Sequence, residues 1–454
     1  MTGRVHEAGG RRHIELSVPI WRILILLVCA GIVFNNLLRW YPFPAGRSAN
    51  DMTTLDTSML GIIVNVFLYS AILAVVVLIR SSRLRHYRSW PLLLYCLYLA
   101  LQVPFRANPP IEALRSWAMI LMLLSADWLA AVVISSPRRA VPLLRSIWWT
   151  MVATLVIGLV IGLALEDSVN WGNDLSPSFA QTARAEFFFF HVLPHYGFAL
   201  SLAVMVLTRR RPGVRFLAAL VTAALIPALA LRTMTRTMIF SLMLVALVFM
   251  FRYARRSLLL VSAVGVLSLL FWPAAMSGVA DRLRVSAFLS SDPGVDATNG
   301  RLFLVMTNLQ SFRDSPVFGQ GAVEARRRVE VSASRAKSEH GYSLHLASSG
   351  VFSLLLFAYV VQGLAAGIRI VLRREQGSVG PFGVAIAAVA ITSFFTGFFW
   401  TFSSATAFYE WVGIFFVSAA RVTSHMAWPP RRISIGASCM SLYDRAHRTV
   451  FGHN

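Results

Sequence analysis

The residues best suited to chemistry are arginines and one histidine that border a long polar stretch. Thr298 or Asn299 can cap a helix predicted over 300–313, which places Arg301 in its first turn. Free backbone N–H groups and the positive end of the helix dipole favour an anion there. Because an arginine is unfavourable at that position without a negative partner, Arg301 is either an anion-binding residue or a solvated loop residue.

Arg232 and Arg236 lie four residues apart on a short link between two apolar runs. This spacing puts both side chains on one face if the link is helical. Ionised residues at membrane depth are costly and commonly serve ion or substrate sites, whereas those at the rim extend to the interface. The pair therefore indicates either an anion site or two interfacial side chains.

His340 lies where the polar stretch meets the next apolar run, directly after Glu339. Histidine titrates near neutral pH and can act as a general base, although a single loop histidine is more often just exposed. Glu339 is the alternative base or a group that orients His340, and the sequence leaves this choice open.

The composition indicates a polytopic membrane protein. Hydrophobic residues make up 57% of the 454 and charged residues 14%, and apolar runs long enough for membrane spans recur along the chain. The net charge of +22 does not indicate nucleic-acid binding, because the basic clusters lie at the ends of these runs. The predicted fold is an all-α polytopic membrane protein with about 12 transmembrane helices.

The distribution of arginine predicts the orientation of these spans. The predicted spans cover residues 18–38, 57–79, 90–105, 112–134, 147–165, 187–207, 214–231, 237–251, 257–275, 343–368, 383–400 and 408–421. Every second link between them is basic, so by the positive-inside rule that side and both termini are cytoplasmic. Segment 277–342 is then one long external, or periplasmic, loop containing short helices.

Three regions follow from this organisation. Residues 1–213 contain transmembrane helices 1–6, residues 214–361 contain the candidate site residues together with the external loop, and residues 362–454 contain the last helices and a cytoplasmic tail. Within the loop, Asp314-Ser315-Pro316 ends the predicted helix, and Gly319-Gln320-Gly321 predicts a flexible turn.

From about Val214 to Val361 the chain resembles the shared region of bacterial O-antigen ligases and O-antigen or exopolysaccharide polymerases. That family has a Ser-Arg-Gly-like turn, a loop opening with Gly-Arg, an Asp-x-Pro-x-x-Gly-x-Gly element and a His-Asn-like junction before a glycine-containing span. The corresponding residues are Thr235-Arg236-Thr237, Gly300-Arg301, Asp314 to Gly321, and His340-Gly341-Tyr342 before Gly350-Val351. Thr235, Thr237 and Gly341 depart from the residues usual in the family.

The resemblance implies a metal-independent, inverting glycosyltransferase in the bacterial inner (cytoplasmic) membrane, without a cofactor or a nucleotide sugar. It would transfer a glycan from undecaprenyl diphosphate to a sugar hydroxyl, either on lipid A-core (ligase) or on a second lipid-linked glycan (polymerase). Arg236 and Arg301 would hold the diphosphate, with Arg232 and Arg313 as second choices. His340 would accept the proton of the acceptor hydroxyl.

Three further features have competing interpretations. His191 and His195 either bind a cation or pack at a helix end. Asp127, within a predicted span, is a proton-relay acid, a neutral hydrogen-bonded residue or the partner of a neighbouring helix. The third feature is a set of residues near external span ends that line either an acceptor groove or an interfacial belt: Trp171, Trp400, Tyr409 and Glu410.

A glycolipid flippase or exporter is the contrasting class. Such a transporter is expected to have two similar halves, broken helices in matching positions and charged residues in many spans. This chain instead has nearly uncharged spans and concentrates its external charge in segment 277–342. The pattern favours an enzyme.

Overall fold

The computed structural model describes residues 18–38, 59–79, 89–105, 109–165, 193–233, 236–254, 301–321, 324, 325, 328, 341–373, 380–396 and 408–425. Every regular element in these ranges is helical, and no strand occurs among them. The all-α prediction is confirmed for this part of the chain. The number of spans and the external loop stay predictions.

The helices correspond closely to the predicted spans. In chain order they are α1 (Val18–Leu38), α2 (Met59–Leu78), α3 (Trp90–Gln102), α4 (Pro109–Ile134), α5 (Pro137–Leu165), α6 (Leu193–Thr208), α7 (Val214–Thr233), α8 (Arg236–Tyr253), α9 (Arg301–Asp314), α10 (Gly341–Ser349), α11 (Ser353–Leu372), α12 (Gly380–Thr396) and α13 (Phe408–His425), with 3-10 turns at Val103–Phe105 and Gly350–Phe352. The predicted span 257–275 lies outside the described residues.

Two boundaries differ from the prediction. Helix α5 begins at Pro137 rather than at residue 147, because its first turns carry arginines that a hydropathy-based span excludes. The span predicted over 343–368 is divided by the turn at Gly350 into α10 and α11. Apolar length indicates a continuous helix there, whereas the backbone conformation of Gly350 interrupts it.

Several helices have the length and apolar character of membrane spans. Among the described residues, three are long and apolar enough to cross a membrane, at Ala113–Ile134, Arg138–Ile157 and Tyr342–Leu372, and the last includes the turn at Gly350. Shorter apolar helices of 10–17 residues accompany them. These helices support the interpretation of the chain as a membrane protein.

Helices α12 and α13 form the centre of the bundle. Residues 381–393 and 410–420 are buried without exception, as expected for helices that are apolar on every side. Helix α12 packs against α6, α8, α11 and α13, and α13 also packs against α4. The central pair therefore connects the first and last parts of the described chain.

Helix α11 is held closely against this pair by two glycines. A Cβ atom on Gly363 would lie 2.5 Å from Cγ1 of Val417 in α13, and one on Gly367 would lie 3.0 Å from the carbonyl oxygen of Ala387 in α12. Real Cβ atoms essentially never approach other atoms as closely as the first of these distances. Only glycine at position 363 therefore permits this approach without a shift of the Val417 side chain.

The chain bends sharply between α10 and α11. Residues 342 and 357 would be about 22 Å apart along a straight helix, yet the ring centroids of Tyr342 and Phe357 are 5.7 Å apart. The Tyr342 hydroxyl also donates a hydrogen bond of 2.7 Å to the carbonyl of Phe394 in α12. The start of α10 is thereby packed beside α11 and α12.

Asp127 has its partner in a neighbouring helix. It is 5% exposed, its Oδ1 lies 3.2 Å from Nη1 of Arg421 in α13, and it accepts a hydrogen bond of 2.8 Å from Ser418. Ser418 is hydrogen-bonded to Tyr359 of α11, and the Arg421 guanidinium lies 5.1 Å from the centroid of that ring. The cluster joins α4, α11 and α13, in agreement with the third alternative for Asp127.

Loss of one partner of a buried ion pair leaves an uncompensated charge at a cost of about 3–5 kcal/mol. We therefore expect Asp127→Asn to lower the unfolding temperature of the detergent-solubilised protein, and addition of Arg421→Gln to recover part of the loss. Asp314→Asn is the matched control, because its ion pair with Arg328 is exposed and exposed pairs contribute about 1 kcal/mol or less. Strictly additive losses in the double variant would show that Asp127 and Arg421 act independently.

Candidate functional site

The element between Asp314 and Gly321 is docked on the end of α10. Gln320 N–H donates to the carbonyl of Ala347 at 2.9 Å, and Gly321 N–H donates to the carbonyl of Ser348 at 3.0 Å. These carbonyls belong to the last turn of α10, where no partner within the helix is available. The expectation of a flexible turn at 319–321 was therefore wrong, because its backbone donors are bonded to a helix end.

The same contact continues on the other side of the bend. Val351 N–H donates to the carbonyl of Pro316 at 2.9 Å. Gly350 adopts a φ of +59°, and a Cβ there would lie 2.4 Å from the carbonyl oxygen of Val317. Gly319 adopts a φ of +66°, and a Cβ there would lie 2.4 Å from the Ser348 carbonyl group. Each glycine thus allows the two backbones to approach directly, which explains the glycine spacing in physical terms.

Helix α3 supports this docked element from outside. The Tyr98 hydroxyl donates to the carbonyl of Phe318 at 2.5 Å, and the hydroxyls of Tyr95 and Ser349 lie 3.2 Å apart. The ring of Tyr98 also stacks on that of Phe352, with centroids 4.3 Å apart. Two tyrosines of α3 therefore fix both sides of the bend.

Helices α9 and α10 lie side by side and run in the same direction. Buried Asn308 donates to the hydroxyl of Ser343 at 2.9 Å, and eight residues later Pro316 is bonded to Val351. This register places the first residues of both helices at the same end of the pair. Arg301 is the first residue of α9, and α10 begins one residue after His340 in the sequence.

The other predicted site residues are distributed as follows. Arg236 opens α8, and Arg232 lies in the last turn of α7, so the pair belongs to two helices and not to one face of a single helix. Arg313 is exposed in the last turn of α9. Glu339 and His340 lie outside the described residues, as do the side chains of Arg232, Arg236 and Arg301.

Helix α12 connects two of these positions. It packs against α8, which begins at Arg236, and it accepts the hydrogen bond from Tyr342 in the first turn of α10. The helices that begin at Arg236 and at Gly341 are therefore neighbours of the same central helix.

An exposed ion-pair group lies at the other end of α9. Nη1 of Arg328 is 2.6 Å from Oδ2 of Asp314, and its Nε is 3.7 Å from Oε1 of Glu324. The positive charge of Arg328, which follows Arg326 and Arg327 in the sequence, is thus partly neutralised by acidic residues of the same segment. This arrangement also holds the first residue of the docked element.

Three polar residues of this region were missed by the sequence reasoning. Asn308, Ser343 and His345 are buried, each less than 5% exposed. Ser343 and His345 are polar residues at the start of an otherwise apolar run, and this could have indicated that they are buried polar groups. The sequence pattern was interpreted there only as the beginning of a span. Asn308 lies in the middle of the helix predicted over 300–313, where its polar type alone does not indicate burial.

The structure describes part of the histidine pair and part of the set of residues near the external span ends. His195 is buried and its ring centroid lies 4.1 Å from that of Tyr196, which agrees with packing at a helix end, while His191 lies outside the described residues. Glu410 is fully buried, so this side chain does not line an open groove. Trp171, Trp400 and the side chain of Tyr409 lie outside the described part.

The docked element depends on the positive φ of Gly350. An alanine there would adopt a backbone conformation that costs about 1–3 kcal/mol and would collide with Val317, so we expect Gly350→Ala to release the loop. Hydrogen exchange of the Gln320 and Gly321 amides should then accelerate. Gly213→Ala is the control, because no atom lies within 4 Å of the added Cβ. Unchanged protection in Gly350→Ala would contradict this account.

Comparison with known protein families matches one part of the chain. No curated protein matches the chain. Residues 219–358, which include α8 to α10 and the docked element, match the family model described as O-antigen ligase. The resemblance predicted from the sequence is therefore confirmed: over these residues the chain is similar to the O-antigen ligase family.

Proposed function

We propose that the protein is an integral-membrane glycosyltransferase of the ligase type. It transfers a glycan from undecaprenyl diphosphate to a sugar hydroxyl of lipid A-core at the periplasmic face of the bacterial inner membrane, with both termini in the cytoplasm. The match of residues 219–358 to the O-antigen ligase family supports a function of the ligase or polymerase type. The donor, the acceptor and the orientation are our proposal.

The observation that carries the proposal is the common direction of α9 and α10. Asn308 is hydrogen-bonded to Ser343, and Val351 is hydrogen-bonded to Pro316. These two bonds put the start of both helices at the same end of the pair. Arg301 is the first residue of α9, and His340 immediately precedes α10. The register therefore supports a site in which a cation and a base act on the same substrate.

At this site the diphosphate is held by charge and by a helix N-terminus. The free N–H groups in the first turn of α9 and the guanidinium of Arg301 both favour phosphate oxygens. Arg236, which opens a helix packed against α12, is proposed to bind the second phosphate. Arginine suits this role because it donates two parallel hydrogen bonds and retains its charge at a dry boundary.

His340 is proposed as the general base. It accepts the proton of the acceptor hydroxyl as that oxygen attacks the anomeric carbon, and the bond from this carbon to the diphosphate oxygen breaks in the same step. A single displacement inverts the anomeric configuration. The arginines stabilise the negative charge that develops on the leaving diphosphate, so the proposal requires no metal. Glu339 either orients His340 or replaces it as the base.

The remaining candidates are assigned to substrate binding. Arg313 lies twelve residues after Arg301, about 18 Å along the helix, so we assign it to the acceptor or glycan and not to the diphosphate. Arg232 lies in the last turn of α7, the helix before Arg236, and is proposed as a further contact to the lipid-linked donor. A polymerase would differ only in its acceptor, which would be a second lipid-linked glycan.

The assay uses purified protein with undecaprenyl diphosphate-linked glycan and either lipid A-core or more lipid-linked glycan. A mass shift of lipid A-core supports ligation, whereas lengthening of the lipid-linked glycan supports polymerisation. Activity that requires a nucleotide sugar, or that is lost in a chelator, contradicts the mechanism. Movement of the glycolipid across a vesicle membrane without any new glycosidic bond would indicate a transporter.

Single substitutions test the site within this assay. We expect Arg301→Ala and Arg236→Ala to reduce kcat by about 10²–10³-fold, because each removes charge stabilisation in the transition state. His340→Ala should reduce kcat by about 10²–10⁴-fold. Arg210→Ala is the control, since this exposed arginine lies on the link between α6 and α7. Full activity of the Arg301 or His340 variant would reject the assignment of these residues.

A further inference from the structure

Phe318 combines an exposed side chain with a fixed backbone. Its side chain is 59% exposed, while its carbonyl accepts the hydrogen bond from Tyr98. Two hydrogen bonds close the turn that carries it. Gly319 N–H donates to the carbonyl of Ser315 at 3.0 Å, and the Ser315 hydroxyl donates to the carbonyl of Gly319 at 2.9 Å. The protein therefore presents this ring from a rigid support.

The ring also has a defined orientation. Phe318 stacks on Phe352 with centroids 5.9 Å apart and 20° between the planes. Phe352 stacks in turn on Tyr98, which is 6% exposed, with 10° between the planes. The three rings are nearly parallel, and the series runs from a buried tyrosine to an exposed phenylalanine.

The surroundings indicate a boundary between the bilayer and water. Helix α11 has 20 residues, about 30 Å and thus the thickness of the hydrocarbon core, and it starts beside Phe318. Arg313 and Asp314, which precede the turn, are exposed. Interfacial anchors are mainly Trp and Tyr, and an anchor in lipid needs no fixed ring plane.

We propose that Phe318 is an aromatic subsite for a sugar ring of the donor glycan. The face of an aromatic ring carries partial negative charge, and the C–H groups on one face of a pyranose carry partial positive charge. The docked element places Phe318 near the C-terminal end of α10, and the register of Asn308 with Ser343 puts it about 18 Å along the helix axis from the level of Arg301. A glycan held by its diphosphate at the start of α9 covers that distance with its next few sugars.

This subsite rests on the proposed function, since it assumes that the donor is a lipid-linked glycan. It acts on binding and not on the chemical step, because the ring is remote from the reacting atoms. Its energetic contribution is that of one aromatic contact, which corresponds to a change in affinity of about two- to tenfold.

The test compares Phe318→Leu with Phe318→Tyr and Phe318→Trp, using donors that carry one sugar or several repeat units. Phe318→Leu should raise KM about two- to tenfold for the long donor. It should leave kcat and the KM of the one-sugar donor unchanged. Phe318→Tyr and Phe318→Trp, which keep an aromatic ring, should retain the wild-type KM for the long donor. Val317→Ala, in the same turn and 50% exposed, is the matched control. The variants should unfold close to the wild-type temperature, because the side chain is mostly exposed and its substitution removes only the ring contact with Phe352.

Wild-type KM in Phe318→Leu would overturn the subsite, since leucine preserves apolar area but not the ring face. Equal effects on both donors would indicate a membrane anchor, and a change confined to the KM of the acceptor would reject the assignment to the donor. Failure of the wild type to transfer any glycan would contradict the proposed function instead. Binding of the oligosaccharide hydrolysed from the same donor, compared by calorimetry between wild type and Phe318→Leu, then still decides the subsite.

Discussion

The direct backbone contact between the element 314–321 and the bend at Gly350 is the constraint on which the site depends. A helix that stops inside a membrane protein leaves carbonyl groups that cannot turn to water, and each unsatisfied group is costly. Here Gln320 and Gly321 supply the missing donors, and Val351 returns one hydrogen bond to Pro316. The interruption of the helix and the docked loop are therefore joined by three backbone hydrogen bonds.

The bend positions the proposed site because its two arms are fixed separately. Helix α10 is aligned with α9 through Asn308 and Ser343. Helix α11 is fixed against α12 by the close approach at Gly367, and against α13 by the close approach at Gly363 and the polar cluster around Tyr359. The positions of the first residues of α9 and α10 therefore depend on the packing of α11 against the buried helices α12 and α13.

Most helices could be predicted from the sequence, because apolar length and flanking arginines are local properties. The limits of this reasoning are equally physical. Whether Gly350 bends a helix depends on Pro316 and Val317, more than thirty residues away, and hydropathy does not detect such a contact. Likewise the sequence shows that Asp127 is unusual within a span, but its ion pair with Arg421 follows only from the packing of α4 on α13. The order of the site motifs could be predicted, whereas the register between α9 and α10 required the structure.

The separation of Asp127 from Arg421 has a consequence for biosynthesis. The two residues are 294 positions apart, and a ribosome needs about 15–60 s to make that length of chain at 5–20 residues per second. During this interval α4 is already complete while its ionic partner has not been made, and an isolated carboxylate in a membrane is costly. Completion of the bundle centre is therefore delayed until α13 emerges, and a chain that lost α13 would leave Asp127 without this partner.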